Sequence, residues 1–254
     1  EDDRWVEIWN NVFMQYNHEE NGAFTELPSK NVDTGMGMER VTAILEGVTD
    51  NYMSSIWKDI IAKIEEISKK PYEGNEKAMR IIADHLRCAV FIAADPAGIK
   101  PSNTDQGYIL RRLLRRVIRY ARNLEIDIAS DWEEQIARLL ISKYEAYYPE
   151  LSENKQVVLD VLNSEKQKFS KTLENGLKEF EKIMSRFDGD TLDKDTAFRL
   201  YDTFGFPLEL TVELAAEKGV KVDQDGFKLK FKEHQEKSRA GSTAKFKGGL
   251  AGNG

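Results

Sequence analysis

One change of hydrophobic period constrains this chain more than any other feature. Trp5–Asn17 (WVEIWNNVFMQYN) is dense in Trp, Val, Ile, Phe and Tyr and short of helix formers, which is the chemistry of a strand. From Asn51 onward apolar residues recur at helical spacing, beginning with Ile56, Ile60, Ile64 and Ile67. The pattern predicts a mainly α fold with a β element confined to the start. At 254 residues, a prior of roughly 100–200 residues per domain gives one or two domains.

Between these regimes, His18–Lys30 carries Asn21-Gly22 and Pro28-Ser29 and reads as a loop or hairpin return. Val32–Gly47 begins with glycines and closes on Met38, Val41, Ile44 and Leu45, a turn feeding a helix. Helices are then expected at about 76–94, 105–123, 130–147, 152–187, 194–204, 207–218 and 223–238. Pro207 suits a first helical turn, and Gly219 suits a helix end. Residues 241–254 hold five glycines and no period, and read as a linker. This gives segments 1–48, 49–240 and 241–254.

Composition excludes several classes. The 37 Lys+Arg against 44 Asp+Glu leave a net charge of −7, which argues against bulk nucleic-acid binding while leaving room for a local basic patch. No run of about 18 apolar residues is present, so no membrane span is expected. The acidic start Glu1-Asp2-Asp3 is unlike a secretory leader. A single cysteine, Cys88, fits a reducing, cytoplasmic setting. With only three scattered histidines beside it, no metal site is expected.

Four stretches carry candidate chemistry. From Gln106 to Leu124 there are six arginines and no acid. On a helix, Arg111, Arg115, Arg119 and Arg122 share a face, with Arg112 and Arg116 beside it. Leu110, Leu113, Leu114, Val117 and Ala121 then face the core. Two readings stay open: a track of guanidinium forks for nucleic-acid phosphates, or a charged face paired with carboxylates elsewhere. Asp33-Thr34-Gly35-Met36-Gly37-Met38-Glu39-Arg40 places glycines, which let backbone approach a ligand, beside an Asp for an ammonium group and an Arg for a phosphate. A tight strand-to-helix turn explains the glycines equally well. Asp202, between aromatics and just before Gly205-Phe206-Pro207, suits an acceptor for a base amino group or an N-cap. Asn103, just before the arginine helix, suits a base edge or a helix cap.

Taken in order, these segments resemble the alanyl-tRNA synthetases. The resemblance runs from about Arg4 to Leu250 through EIWNNVFMQYN, LPSKNVDTGMGMERV, IIADHLRCAVFIAAD, PSNTDQGYILRRLLRRVIR, DTAFRLYDTFGFPLELT and FKGGL. It implies that residues 1–48 are the motif 3 end of a class II antiparallel-sheet catalytic domain, followed by a helical tRNA-recognition domain. It implies that Arg40 contacts ATP phosphate and Asp33 holds the alanine ammonium. Asn10, Val12 and Gly35 then shape the amino-acid pocket. Asn103 and Asp202 would read the G·U pair of the tRNA-Ala acceptor stem, and Arg111, Arg112, Arg115, Arg116 and Arg119 would position its backbone. The family uses ATP with Mg2+, and its zinc belongs to an editing domain beyond FKGGL. Motifs 1 and 2 have no counterpart here, so the resemblance implies a piece that is inactive alone. No DNA or membrane partner is expected. The alternative is a helical protein-interaction module whose arginine helix docks an acidic partner.

Overall fold

The computed structural model describes residues 5–247, with side chains as far as 236. Its contacts divide the chain into two compact units, one through Lys63 and one from Ile64. The division falls inside a helix rather than at residue 48.

The first unit is a hairpin feeding a helix. Strand β1 (Trp9–His18) pairs antiparallel with β2 (Phe24–Met36). The connection is tighter than the sequence suggested, because pairing resumes at Phe24. Glu19 and Ala23 close the turn through a 2.9 Å backbone bond, and Gly22 supplies the left-handed residue at φ 82°. The ladder breaks between the pairs Met14↔Asn31 and Tyr16↔Glu26. Pro28 lies in that break, where its lack of an N–H removes no ladder bond. Gly37 then leads into α1 (Met38–Leu45), followed by a 3-10 turn at Asn51–Met53 and by α2 (Lys58–Ser68).

The second unit is helical. Its elements are α3 (Glu76–Ala94), α4 (Asp105–Asn123), α5 (Trp132–Tyr144), the single turn α6 (Glu150–Glu153) and the long α7 (Lys155–Met184). They are followed by β3 (Thr191–Leu192), α8 (Lys194–Phe204), α9 (Leu208–Glu217), β4 (Lys221–Val222) and α10 (Gln224–Lys247). Helix α7 packs against α3, α4, α5 and α8. The core is built from the apolar stripes read in the sequence: Met79, Ile82, Leu86 and Val90 on α3, Leu110, Leu114 and Val117 on α4, and Phe169, Leu173 and Phe180 on α7.

Three local features differ from expectation. The helix predicted over 152–187 is interrupted at Asn154, whose side-chain Nδ2 leaves to donate to the Ala94 carbonyl at the end of α3, 2.9 Å away. That bond satisfies one of the carbonyls a helix end leaves without an intrahelical partner. The two-residue strands β3 and β4 pair in parallel and fasten the start of α8 to the end of α9, a connection too short to leave a sequence signal. Helix α10 continues through Gly241 to Lys247, where the glycines had predicted a linker; residues 248–254 lie outside the described residues.

Candidate functional site

The hairpin sorts its residues by face. Asn10 pairs with Gly35 and Val12 with Asp33, so all four share one face of the ribbon. Trp9, Phe13, Val32 and Met36 take the other face. The polar face is tight. A Cβ on Gly35 would stand 3.2 Å from Asn10 Oδ1, closer than nearly all real contacts. Asn10 Nδ2 donates to Glu7 Oε1 at 2.9 Å, which fixes the amide beside that glycine. Arg40, on the first turn of α1, donates through Nη1 to the Glu7 carbonyl. Glu7 therefore braces both Asn10 and Arg40. A guanidinium fork of this kind is shaped to take a phosphate oxygen.

The arginines of the helix are paired within the chain. Five of its arginines have side chains between 5% (Arg119) and 32% (Arg112) exposed, and each is paired with a carboxylate. Arg112, Arg116 and Arg119 meet Glu209, Glu213 and Glu217, one glutamate per turn of α9. Arg115 and Arg111 share the buried Glu165 of α7, at 2.7 and 3.7 Å. Only Arg122, 44% exposed and 3.9 Å from Glu174, resembles an ordinary surface charge. Turning one of the buried forks outward would strand a carboxylate such as Glu165, 1% exposed. Pairing with distant carboxylates, one of the two readings open from the sequence, is present for all five.

Around that zipper runs a further polar chain. Arg116 reaches His85 Nε2 at 2.7 Å, and His85 Nδ1 lies 2.9 Å from Asp84. Since arginine can only donate, Nε2 accepts and Nδ1–H donates to Asp84. The hydrogen bond from His85 holds the Asp84 carboxyl below its ordinary range. At the other end Tyr120 donates to Glu213 at 3.0 Å. The network joins α3, α4 and α9 into one block.

Asn103 and Asp202 are both exposed, and Tyr201, the residue before Asp202, reaches Asn103. Neither caps a helix. The N-cap of α4 is Thr104, that of α9 is Pro207, and Asp202 sits inside α8. Arg111 donates to Asn103 Oδ1, and the Tyr201 hydroxyl is 3.5 Å from the same oxygen. Because a guanidinium cannot accept, the amide oxygen must face inward, which leaves the amide nitrogen as the outward donor. Asp202, next to Tyr201 in sequence, is an acceptor and 53% exposed. The loop holding Asn103 is locked from below. A Cβ on Gly107 would fall 2.4 Å from both the Lys100 carbonyl and Ser102 Oγ. Ser102 N also bonds the Gly107 carbonyl at 3.0 Å.

The sequence reading passed over the partners that organise this site. Glu209, Glu213 and Glu217 recur once per helical turn at intervals of four, and Arg112, Arg116 and Arg119 recur once per turn at intervals of four and three. His234 and Gln235 on α10 carried no motif. Among the described residues no helix is long and apolar enough to cross a membrane.

Comparison with known proteins fits this arrangement. The family model of tRNA synthetases class II (A) matches residues 1–250. The chain is 48% identical over 251 residues to an alanine–tRNA ligase of Borreliella afzelii (strain PKo), covering 98% of this chain and 42% of that relative. To the alanine–tRNA ligase of Treponema pallidum (strain Nichols) it is 43% identical over 254 residues, with the same coverage. An alanine–tRNA ligase of Desulfitobacterium hafniense (strain Y51) is 43% identical over 239 residues, 92% of this chain and 27% of the relative. The chain thus spans less than half the length of these relatives. With the family model matched along almost all of it, the chain belongs to the class II (A) tRNA synthetases.

Proposed function

We propose that this chain serves in alanine–tRNA ligation, contributing part of the alanine and ATP site through its hairpin and the reader of the tRNA-Ala acceptor stem through its helical unit. The observation that carries the reading is the placement of Asn103 and Asp202. One is a donor and the other an acceptor; Arg111 and the Tyr201 hydroxyl hold Asn103, and Asp202 is the exposed residue that follows Tyr201 on α8. A G·U wobble pair displaces its base-edge groups from Watson–Crick register, and a donor beside an acceptor is the set that distinguishes it. Five alanine–tRNA ligase relatives at 43–48% identity over 98% of the chain support its place in alanine–tRNA ligation.

On the hairpin, Asp33 holds the alanine ammonium and Val12 meets its methyl group. Gly35 and Asn10 keep the pocket too tight for larger side chains. An apolar pocket discriminates by only ~1–3 kcal/mol per methylene, so the charge on Asp33 and the packing at Gly35 act together. Arg40 bears on ATP phosphate. One arginine is short of the several converging groups that phosphoryl and acyl chemistry requires, so this chain by itself does not form alanyl-adenylate. The interaction-module alternative rests on the arginine helix, whose pairing with α7 and α9 makes it the weaker reading.

The test is a titration of two acceptor-stem hairpins, identical but for G·U or G·C, at two salt concentrations. Wild type should prefer G·U. Asp202→Ala and Asn103→Ala should erase that preference, by roughly 1–3 kcal/mol if base-edge energetics carry over from DNA. Equal loss for both hairpins would remove Asn103 and Asp202 as readers.

A further inference from the structure

We propose that α10 is the positioning element for both base readers, acting through two consecutive residues, His234 and Gln235; the inference rests on the reading of Asn103 and Asp202 just given.

Each of these residues reaches a different reader. Gln235 Nε2 donates to the backbone carbonyl of Asn103 at 3.1 Å. His234 Nε2 lies 3.7 Å from Asp202 Oδ1, within ion-pair reach when the ring is protonated. The readers sit on separate elements with no covalent reason to stay in register. Placing adjacent residues of one helix against them sets the spacing between donor and acceptor by helix geometry, which is far stiffer than two independent side chains.

The helix is anchored well enough to act in this way. Phe227, Phe231 and His234 fall at i, i+4 and i+7, one face of α10. Phe227 stacks on Phe231 with an interplanar angle of 12°. Phe231 meets Tyr108 of α4 at 5.3 Å and Tyr201 of α8 at 5.2 Å, centroid to centroid. His234 itself packs edge-on against Phe198 at 5.4 Å. Tyr201 belongs both to this aromatic cluster and to the reader edge, through its hydroxyl near Asn103. The apolar anchor and the polar reach are therefore the same few turns of helix. His234 and Gln235 touch readers and not the base pair, so they are positioning residues.

The experiment uses the whole chain and the two hairpins. His234→Phe keeps a ring against Phe198 and removes the N–H. His234→Gln restores a donor at a similar reach. Gln235→Glu keeps the shape and sets a carboxylate against the Asn103 carbonyl. The expected result is a G·U over G·C preference reduced about three- to tenfold in Gln235→Glu, as for losing one hydrogen bond, and reduced about two- to threefold in His234→Phe, which loses only the longer contact to Asp202. His234→Gln should recover most of it, and the thermal midpoint of all three should stay at the wild-type value. A merely structural role would lower that midpoint and weaken both hairpins alike, which overturns the proposal. So would full preference in both His234→Phe and Gln235→Glu while wild type discriminates. If wild type itself shows no preference, the reader assignment fails first and this inference falls with it.

Discussion

Arg115 Nη1 donates to the carbonyl of Gly205, the left-handed residue (φ 65°) that ends α8, while its Nε binds Glu165 of α7 at 2.7 Å. The same guanidinium lies 5.0 Å above the Phe169 ring. One side chain of α4 thereby holds both the long helix and the turn that follows Asp202. Arg115→Ala should cost about 3–5 kcal/mol of stability, because it leaves Glu165 buried with only the longer Arg111 contact. Arg115→Lys should recover part of that, since a point charge can face Glu165 but lacks the fork that reaches Gly205 as well. Denaturant unfolding of the two variants checks the order. If Arg115→Ala instead leaves stability intact and flattens the salt dependence of RNA binding, the arginine faces phosphate after all.

The charged zipper also predicts an alkaline limit to stability. Burial and the nearby Glu213 carboxylate push the Tyr120 hydroxyl up to about 12, and burial with Glu209 does the same for Tyr108. Their ordinary value is 10.0. A group whose pKa is higher in the fold is held protonated by folding. Its contribution is complete below about pH 10 and is lost as pH climbs from there towards about 12. Unfolding free energy should therefore fall over that window. In Glu213→Gln the Tyr120 amide neighbour is neutral, so tyrosinate absorbance should appear at lower pH than in wild type. An unchanged titration curve would mean that Glu213 does not act on Tyr120.

Strand β1 should be far less protected than α7. The faces of the hairpin are both open: Phe13 is 81% and Trp9 57% exposed on one, and Val12 is 51% exposed on the other, although these are residues that normally bury. A two-stranded hairpin without a covering layer is marginal in water. Amide exchange on the monodisperse monomer should show residues 9–16 exchanging well before the core of α7. Equal protection would show that the ribbon is stable without further cover.

What the sequence revealed and what it hid follow from the range of the interactions. Helices α3 and α4 were legible to the residue because their apolar stripes and the breakers Pro96, Gly98 and Pro101 are local signals. The stop at Asn154 was hidden, since its cause is the Ala94 carbonyl on another helix. The acid-free run of α4 suggested a ligand-facing surface because its glutamates sit 97 and 98 residues away on α9. Asn103 and Asp202 could be named from the resemblance, but their placement depends on Tyr201, Arg111 and α10. His234 and Gln235 had no sequence signal beyond following Phe227 and Phe231 on a helical face.

The support beneath Asn103 gives the last prediction. At Gly107 the first turn of α4 runs so close to the preceding loop that a methyl group would meet the Lys100 carbonyl, a backbone atom, at 2.4 Å. Asp105, the first residue of α4, already holds φ 52°, an uncommon value for a residue with a Cβ, so the loop has little freedom to give way. Gly107→Ala should lift the Lys100–Asn103 segment off the helix. The overpacking cost should be about 1–3 kcal/mol, and the G·U preference should drop because Asn103 loses its register with Asp202. Ser102→Ala is the control. It removes the hydroxyl that bonds the Thr104 carbonyl at 2.7 Å but leaves the Lys100 backbone in place, so its effect on preference should be smaller. Chemical denaturation and the two-hairpin titration on both variants decide the matter. If Gly107→Ala loses stability yet keeps the full preference, Asn103 is positioned from α8 and α10 alone, and the loop beneath it serves only the fold.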